Sequence, residues 1–186
     1  MSGPAGVGGP TVPVVGEAAP EFASRNQHGQ TVGLGDLVGA PALLMFFPFA
    51  FSSICTGEFR ELREQEQRFA DLGIRVLGIS CDAMFTQRAY ADAEGLTFDL
   101  LTDHWPHGAI ARAYGVFDVE GGHALRGSFL LDADGFVRWK VVNGRAQARD
   151  LAELLAEAAA LPLQSTPSQS TPSQSAPLQS ESAQPA

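Results

Sequence analysis

Short apolar runs alternate along this chain with longer segments in which apolar residues recur at helical spacing. The first strong run, residues 42–47, is bounded by Pro41 and Pro48 and predicts a fully buried strand. Pro48 has no backbone N–H to give to a ladder, so this strand should end there. Residues 53–72 repeat apolar side chains one helical turn apart and are followed by Gly73, which predicts a helix with a glycine C-cap.

The same alternation continues to residue 161. Strands are predicted at residues 74–80, 98–101, 127–131 and 136–142, and helices at residues 83–94, 106–114 and 146–161. A short hairpin over residues 22–34 and a single turn over residues 35–39 are predicted before the first buried strand. Strand–helix alternation followed by a hairpin and a helix indicates an α/β fold whose sheet is part parallel and part antiparallel.

Composition divides the 186 residues into one candidate domain and two end segments of biased composition. Residues 1–13 are rich in Gly and Pro, and residues 162–186 repeat Gln-Ser-Thr-Pro-Ser with almost no large apolar side chain. Such segments cannot bury enough surface to fold, so both are predicted to be disordered. Residues 14–161 remain as the predicted domain, long enough for a substantial core.

The net charge and the number of cysteines limit the kinds of binding partner and the cellular compartment that are expected. The net charge of −9 argues against nucleic acid and anionic membranes as partners. The N-terminus has no basic segment followed by an apolar one, and the longest apolar run is too short to cross a bilayer. Two cysteines do not make a disulfide scaffold, so a reducing cytoplasm is the expected location.

Cys55 is the first candidate for chemistry. It falls in the first turn of the predicted helix, where Ser52 and Ser53 offer N-cap oxygens. Free backbone N–H groups and the positive end of the helix dipole favour a thiolate at such a position. Free cysteine among apolar neighbours is otherwise an ordinary small core residue, so position alone leaves both interpretations open.

The surrounding pattern favours the chemical interpretation. Pro48, Ser52 and Cys55 match P-x-x-x-[TS]-x-x-C, which resembles the active-site signature of the peroxiredoxins. The continuation Cys55-Thr-Gly-Glu58 and the segment Asp103-His-Trp-Pro-His-Gly108 are similar to the AhpE-type, one-cysteine alkyl hydroperoxide reductase group. The resemblance covers about residues 14–161. It implies a thioredoxin-like fold with the peroxiredoxin N-terminal additions, in which helices flank a mixed central sheet.

The resemblance also implies a reaction and its residues. Cys55 would reduce hydrogen peroxide or organic hydroperoxides and become a sulfenic acid, with no metal or other cofactor. Arg126 lies in a segment that matches the one carrying the family's active-site arginine. Ser52 would hold the thiolate or the peroxide, and Pro48 would shape the loop and keep water off the sulfur. Glu58 would orient Arg126 or the loop, or would only complement the helix dipole.

The expected partners are a peroxide, an external thiol or a glutaredoxin- or thioredoxin-like reductant, and a second copy of the chain in a homodimer. Ser52 stands where most family members have threonine, and no cysteine follows Cys81. Cys81, at the end of the next predicted strand, could resolve the sulfenic acid by forming a disulfide with Cys55. The alternative, a buried or strand-end thiol, is favoured because the resembling group mostly works with one cysteine.

Several other readings of the sequence are weaker. A cysteine hydrolase would need a histidine paired with Cys55, and the contexts of the four histidines, His28, His104, His107 and His123, suggest none. His104 and His107 without further ligands are a weak metal signal, so packing or a dimer contact is expected. The segment from Asp132 to Gly135 lacks most ligands of a calcium loop and is predicted to be a hairpin turn. A non-enzymatic peroxide sensor or holdase on the same fold remains the alternative function.

Overall fold

The computed structural model describes residues 11–144 and 146–161. Most of the predicted disordered ends, residues 1–10 and 162–186, therefore lie outside the described residues, and the division into three segments stays a prediction. Residues 11–13 are described, and the Pro13 carbonyl accepts a hydrogen bond from Lys140 Nζ at 2.5 Å. Within the described ranges, no helix is both long and apolar enough to cross a membrane.

Nine strands and four α-helices are described, with a short 3-10 helix at Leu34–Leu37. In chain order they are β1 (Ala23–Arg25), β2 (Thr31–Gly33), β3 (Ala42–Phe46), α1 (Ser53–Asp71), β4 (Arg75–Ser80), α2 (Met84–Glu94), β5 (Asp99–Thr102), α3 (Ala109–Ala113), β6 (Phe117–Asp118), β7 (His123–Ala124), β8 (Arg126–Leu131), β9 (Val137–Asn143) and α4 (Leu151–Ala160).

A five-stranded mixed sheet, in the order β5-β4-β3-β8-β9, forms the centre of the molecule. The pairs β3–β4 and β4–β5 are parallel, whereas β8 is antiparallel to both β3 and β9. The predicted α/β class and the mixed sheet are confirmed. Because β3 is central, all five of its side chains are fully buried, as its unbroken apolar run predicts.

Each face of the sheet packs into its own apolar cluster. Leu43, Met45 and Phe47 face the cluster that contains Cys55 and residues of α1, α2 and α4. The alternate positions, Leu44 and Phe46, face a second cluster with residues of α3 and the N-terminal segment. Neighbouring residues of a strand thus point to opposite faces of the sheet. The face to which a cysteine points therefore determines which side chains it can contact.

The helices on either side of β5 begin differently from the prediction. Asp82 directly precedes the predicted helix at residues 83–94 and is a residue type that caps helices, so it was expected to be the N-cap. The N-cap of α2 is instead Ala83, with no side-chain cap bond, and the Asp82 carboxylate accepts from the Ala50 N–H at 2.8 Å. The predicted helix over residues 106–114 is only α3, Ala109–Ala113. Asp103 nevertheless caps it, since its two carboxylate oxygens accept from Ile110 N and Ala111 N, both at 2.9 Å. Because the Asp103 side chain reaches the first amides of α3 across a loop, the helix begins several residues after its capping side chain.

Two elements near the C-terminal end of the described residues also differ from the prediction. The two-residue strands β6 and β7 form a hairpin that the sequence did not predict, and α4 begins at Leu151 rather than at residue 146. Asp150 is the N-cap of α4, and its carboxylate accepts from two first-turn amides. The turn predicted from Asp132 to Gly135 is confirmed: Asp132 Oδ1 accepts from Asp134 N at 3.0 Å and Phe136 N at 2.9 Å.

Candidate active site

The structure places Cys55 in the first turn of α1, at the carboxyl end of β3, as the sequence predicts. The side chain is fully buried and packs against Phe59 and Leu62. Ser52 occupies the N-cap position with extended backbone angles, but its side chain makes no cap hydrogen bond. The predicted N-cap role of the Ser52 side chain is therefore wrong. Amides in the first turn of a helix lack intrahelical acceptors and remain donors for a ligand.

Arg126 lies on β8, the strand next to β3, and its side chain reaches the Cys55 sulfur. Because β3 and β8 are antiparallel, with Met45 opposite Ser128, the end of β3 lies beside the start of β8. Arg126 is the first residue of β8 and is buried, and its Nη1 donates to Cys55 Sγ at 3.4 Å. A sulfur that would otherwise be enclosed by hydrocarbon thus faces a guanidinium, which stabilises negative charge on it.

Glu58, one turn after Cys55 in α1, holds the arginine. Its Oε2 accepts from Arg126 Nη1 at 2.5 Å, and its side chain is 3% exposed. The same oxygen accepts from Arg149 Nη1 at 2.7 Å. The prediction offered Glu58 as a group that orients Arg126 or the loop, or as a complement to the helix dipole, and the structure contains its contact with Arg126.

Arg149 was not predicted from the sequence. Its backbone N–H and Nη1 both donate to Glu58, its Nε donates to Ser128 Oγ at 2.8 Å, and Nη2 donates to the Phe46 carbonyl. Burial lowers the pKa of Arg149 to about 10, although Glu58 opposes that shift, so the guanidinium stays charged at neutral pH. Arg149 lies in the irregular segment before α4, where no local pattern distinguishes it from a surface arginine.

A small cavity opens onto this cluster. Its volume is about 180 Å³. It is lined by Pro48, Phe49, Ser52, Ser53, Ile54 and Arg126. The lining therefore includes three of the predicted site residues, Pro48, Ser52 and Arg126. Ser52 Oγ donates to the Phe49 carbonyl at 3.0 Å, so its proton is engaged and its lone pairs are left to accept.

The loop between Pro48 and Ser52 is held in an unusual shape. Phe51 has φ 63°, the left-handed region that a bulky residue seldom occupies. Its ring packs on Tyr90 of α2, with the ring centroids 5.0 Å apart, and the preceding Ala50 N–H donates to Asp82. These two anchors offset a backbone cost of about 1–3 kcal/mol and keep the loop over the sulfur.

Cys81 does not share this environment. Along β4, Ser80 faces α2 and accepts from Gln87 Nε2 at 3.1 Å, so the next side chain points to the opposite face of the sheet. Burial and, secondarily, the carboxylate of Asp103 raise the pKa of Cys81 to about 12. Both cysteines are free thiols in the structure. Cys81 is therefore a protonated thiol on the side of the sheet away from Cys55.

The histidines take part in packing and backbone contacts. His104 Nδ1 lies 3.3 Å from the Cys81 carbonyl oxygen, and His107 Nε2 lies 2.8 Å from the Gly122 carbonyl oxygen. Neither His104 nor His107 forms a hydrogen bond with Cys55 in the described residues. Over residues 11–144 and 146–161, no three His, Cys, Asp or Glu side chains are grouped as metal ligands would be.

Comparisons with known proteins show which family and which solved structures this chain is similar to. The family model described as the AhpC/TSA family matches residues 15–140. Alkyl hydroperoxide reductase E of Mycobacterium tuberculosis is 42% identical over 137 residues, which cover 73% of this chain and 90% of that protein. The crystal structure of Enterococcus faecalis AhpC superposes with a TM-score of 0.75 at 26% identity, over 80% of this chain and 92% of that one. Peroxidoxin BcpB from Mycobacterium tuberculosis gives a TM-score of 0.70 at 26% identity, over 79% and 97% of the two chains.

Proposed function

Since this chain belongs to the AhpC/TSA family, as an AhpE-type peroxiredoxin with a thioredoxin-like fold, and is a thiol-dependent peroxidase, we propose that Cys55 is its nucleophile. The observation that carries this assignment is the 3.4 Å contact between Arg126 Nη1 and Cys55 Sγ. The relatives reported above have enzyme names, and none favours the alternative of a non-enzymatic sensor or holdase.

The proposed reaction begins with attack of the Cys55 thiolate on one peroxide oxygen. An S–O bond forms as the O–O bond breaks, the sulfur is oxidised to a sulfenic acid, and the second oxygen leaves as water or an alcohol after gaining a proton. Arg126 stabilises the charge that develops on sulfur and on the departing oxygen. Ser52 Oγ, with its proton donated to Phe49, accepts a hydrogen bond from the incoming hydroperoxide.

Pro48, Glu58 and Arg149 support these groups without reacting. Pro48 is buried in the wall of the cavity and limits the access of water to the sulfur. Glu58 and Arg149 are positioning residues: the carboxylate holds Arg126 against Sγ, and the second guanidinium holds that carboxylate in place. Two buried arginines with one carboxylate and one thiolate give a cluster with no net charge, which limits the cost of burial.

A thiol from outside the chain completes the cycle in this proposal. It attacks the Cys55 sulfenic acid, releasing water and forming a mixed disulfide, which a second thiol then reduces. A small dithiol protein of the glutaredoxin or thioredoxin kind supplies both thiols. Cys81 does not serve, because it faces the opposite side of the sheet and stays protonated at neutral pH. The reducing cytoplasm, where such thiols are maintained, is the compartment that we propose.

Mass spectrometry after one equivalent of hydrogen peroxide tests the assignment. We expect a sulfenic acid on Cys55, trapped by a carbon nucleophile such as dimedone, and an unmodified thiol at Cys81. The same measurement on the Cys81→Ser variant should give the same adduct on Cys55. A Cys55–Cys81 disulfide would contradict the one-cysteine scheme, and an adduct on Cys81 alone would contradict the choice of nucleophile.

A second copy of the chain is the partner that we propose for the exposed aromatic edge, defined as Phe51, Phe85 and Trp105. Their side chains are 52%, 72% and 85% exposed. Phe85 and Trp105 line one groove of about 520 Å³, formed by residues at the ends of β4 and β5 and by the β1–β2 hairpin. Large apolar side chains clustered in this way mark interaction surfaces. Light scattering should detect a dimer that Trp105→Glu dissociates, whereas Val38→Glu, at an exposed residue that precedes β3, should not.

A further inference from the structure

One peptide group joins the active-site loop to the segment that follows β4. The peptide between Phe49 and Ala50 is trans, and its N–H, on Ala50, donates to Asp82 Oδ2 at 2.8 Å. The carbonyl of the same peptide, on Phe49, accepts from Ser52 Oγ at 3.0 Å. Because a trans peptide is planar, its N–H and C=O point in opposite directions and turn together. The carboxylate that holds one end of this peptide therefore also fixes the direction of the other end.

The Asp82 carboxylate is itself held by hydrogen bonds at the end of β4. Ser80 Oγ accepts from Gln87 Nε2 at 3.1 Å and from Asp82 N at 3.3 Å, so its single proton is left to donate to Asp82 Oδ2, at 2.8 Å. Gln87 Nε2 also donates to the Leu101 carbonyl at 2.8 Å, and both Ser80 and Gln87 are buried. Asp82 thus presents an oxygen of fixed position to the loop.

The aromatic side chains of the loop are held separately from this peptide. The ring of Phe49 packs on His123, with the ring centroids 4.7 Å apart, and the ring of Phe51 packs on Tyr90. A peptide plane can rotate about the bonds on either side of it without displacing the neighbouring side chains. The hydrogen bond to Asp82 opposes that rotation, which the packing of the rings does not.

We propose that Asp82 is a positioning residue for peroxide reduction, which acts through the peptide of Phe49 and Ala50 to keep Ser52 Oγ a hydrogen-bond acceptor. While the Phe49 carbonyl takes the hydroxyl proton, the lone pairs of Ser52 Oγ remain for the proton of the incoming hydroperoxide. A carboxylate on the N–H also polarises the peptide and strengthens the hydrogen bond at its carbonyl. This inference rests on the proposed function, in which Ser52 accepts from the peroxide.

Without the carboxylate, the peptide can turn its carbonyl away from Ser52. The hydroxyl is then free to rotate and to direct its proton into the cavity, which Ser52 lines. A hydroxyl in that orientation no longer aligns the hydroperoxide, so attack of Cys55 on the O–O bond becomes slower. Alkylation of Cys55 by iodoacetamide, in which an S–C bond forms and iodide leaves, involves no hydroperoxide proton and should not depend on Asp82.

The test is the second-order rate constant for oxidation of Cys55 by hydrogen peroxide in Asp82→Ala, in Ser52→Ala and in the double variant. We expect Asp82→Ala to lower this constant about tenfold, which is the size expected for one hydrogen bond to a charged group. Because Asp82 acts through Ser52, the double variant should react no more slowly than Ser52→Ala alone. Iodoacetamide should alkylate Cys55 in Asp82→Ala at the wild-type rate.

Two further variants control for charge and for folding. Asp82→Asn keeps the shape and an acceptor oxygen but removes the charge, so an intermediate rate with peroxide is expected. If Asp82→Ala does not fold, Asp82→Asn with and without Ser52→Ala gives the same comparison. Asp92→Asn makes the same change at an exposed position of α2 and should react at the wild-type rate.

The outcomes separate this inference from the proposed function. Effects of Asp82→Ala and Ser52→Ala that multiply in the double variant would overturn the inference, as would an equal slowing of alkylation or a wild-type rate with peroxide in Asp82→Ala. A wild-type rate in Ser52→Ala would overturn the role of Ser52 in the proposed function and the inference with it. Failure of the wild type to form a sulfenic acid on Cys55 would instead overturn the proposed nucleophile.

Discussion

Replacing Cys55 by serine is expected to reduce peroxide consumption to the rate of the supplied thiol alone. The proposed reaction needs a thiolate, which a serine hydroxyl cannot supply near neutral pH, and oxygen cannot accept the peroxide oxygen as sulfur does. Stability should change little, because serine is close to cysteine in size. Peroxide loss followed in the presence of excess dithiothreitol measures this effect directly.

Cys81→Ser is the matched control. It removes the other free thiol, which is 8% exposed and lies on the opposite face of the sheet. We expect this variant to retain the wild-type rate. If Cys55→Ser kept its activity, or if Cys81→Ser lost it, the roles assigned to the two cysteines would be contradicted. The pair of variants therefore separates the chemistry of one sulfur from the general loss of a thiol.

Replacing Arg126 by methionine is expected to slow the reaction of Cys55 with hydrogen peroxide about 100- to 1,000-fold, the usual cost of removing one preorganised donor from a site where charge develops. Methionine fills much of the volume of the arginine stem but has no N–H to direct at Sγ. The variant should still fold, because Glu58 keeps its ion pair with Arg149 at 2.7 Å. Stopped-flow measurement of the rate against peroxide concentration gives the effect.

Two variants control for the loss of charge and of a buried ion pair. Arg126→Lys keeps a positive charge but lacks the planar guanidinium whose Nη1 donates to both Sγ and Glu58, so an intermediate rate is expected. Arg138→Met removes the partner of Asp132 at the other end of β8 and should leave the rate unchanged. If Arg126→Met reacted at the wild-type rate, the guanidinium would not take part in breaking the O–O bond.

The parts of the fold that the sequence predicted well are those whose pattern is local and strong. The apolar run of β3 between two prolines and the helical repeat of α1 before Gly73 were placed within one residue of their observed ends. The hairpin β6–β7 was missed because two-residue strands have no periodicity to detect. The start of α3 was set too early because its cap, Asp103, lies several residues outside the helix and reaches it across a loop.

By itself, the sequence determined the α/β order of the elements, the position of Cys55 at the mouth of α1, and the segment expected to supply Arg126. These follow from contiguous residues, because propensity, periodicity and motif spacing act over a few positions. Only the tertiary structure decided that Arg149 stabilises Glu58, that Cys81 faces away from Cys55, and that His123 packs on Phe49. Each of these depends on where separate strands and loops meet, a relation set by the packing of the whole sheet rather than by any local stretch of chain.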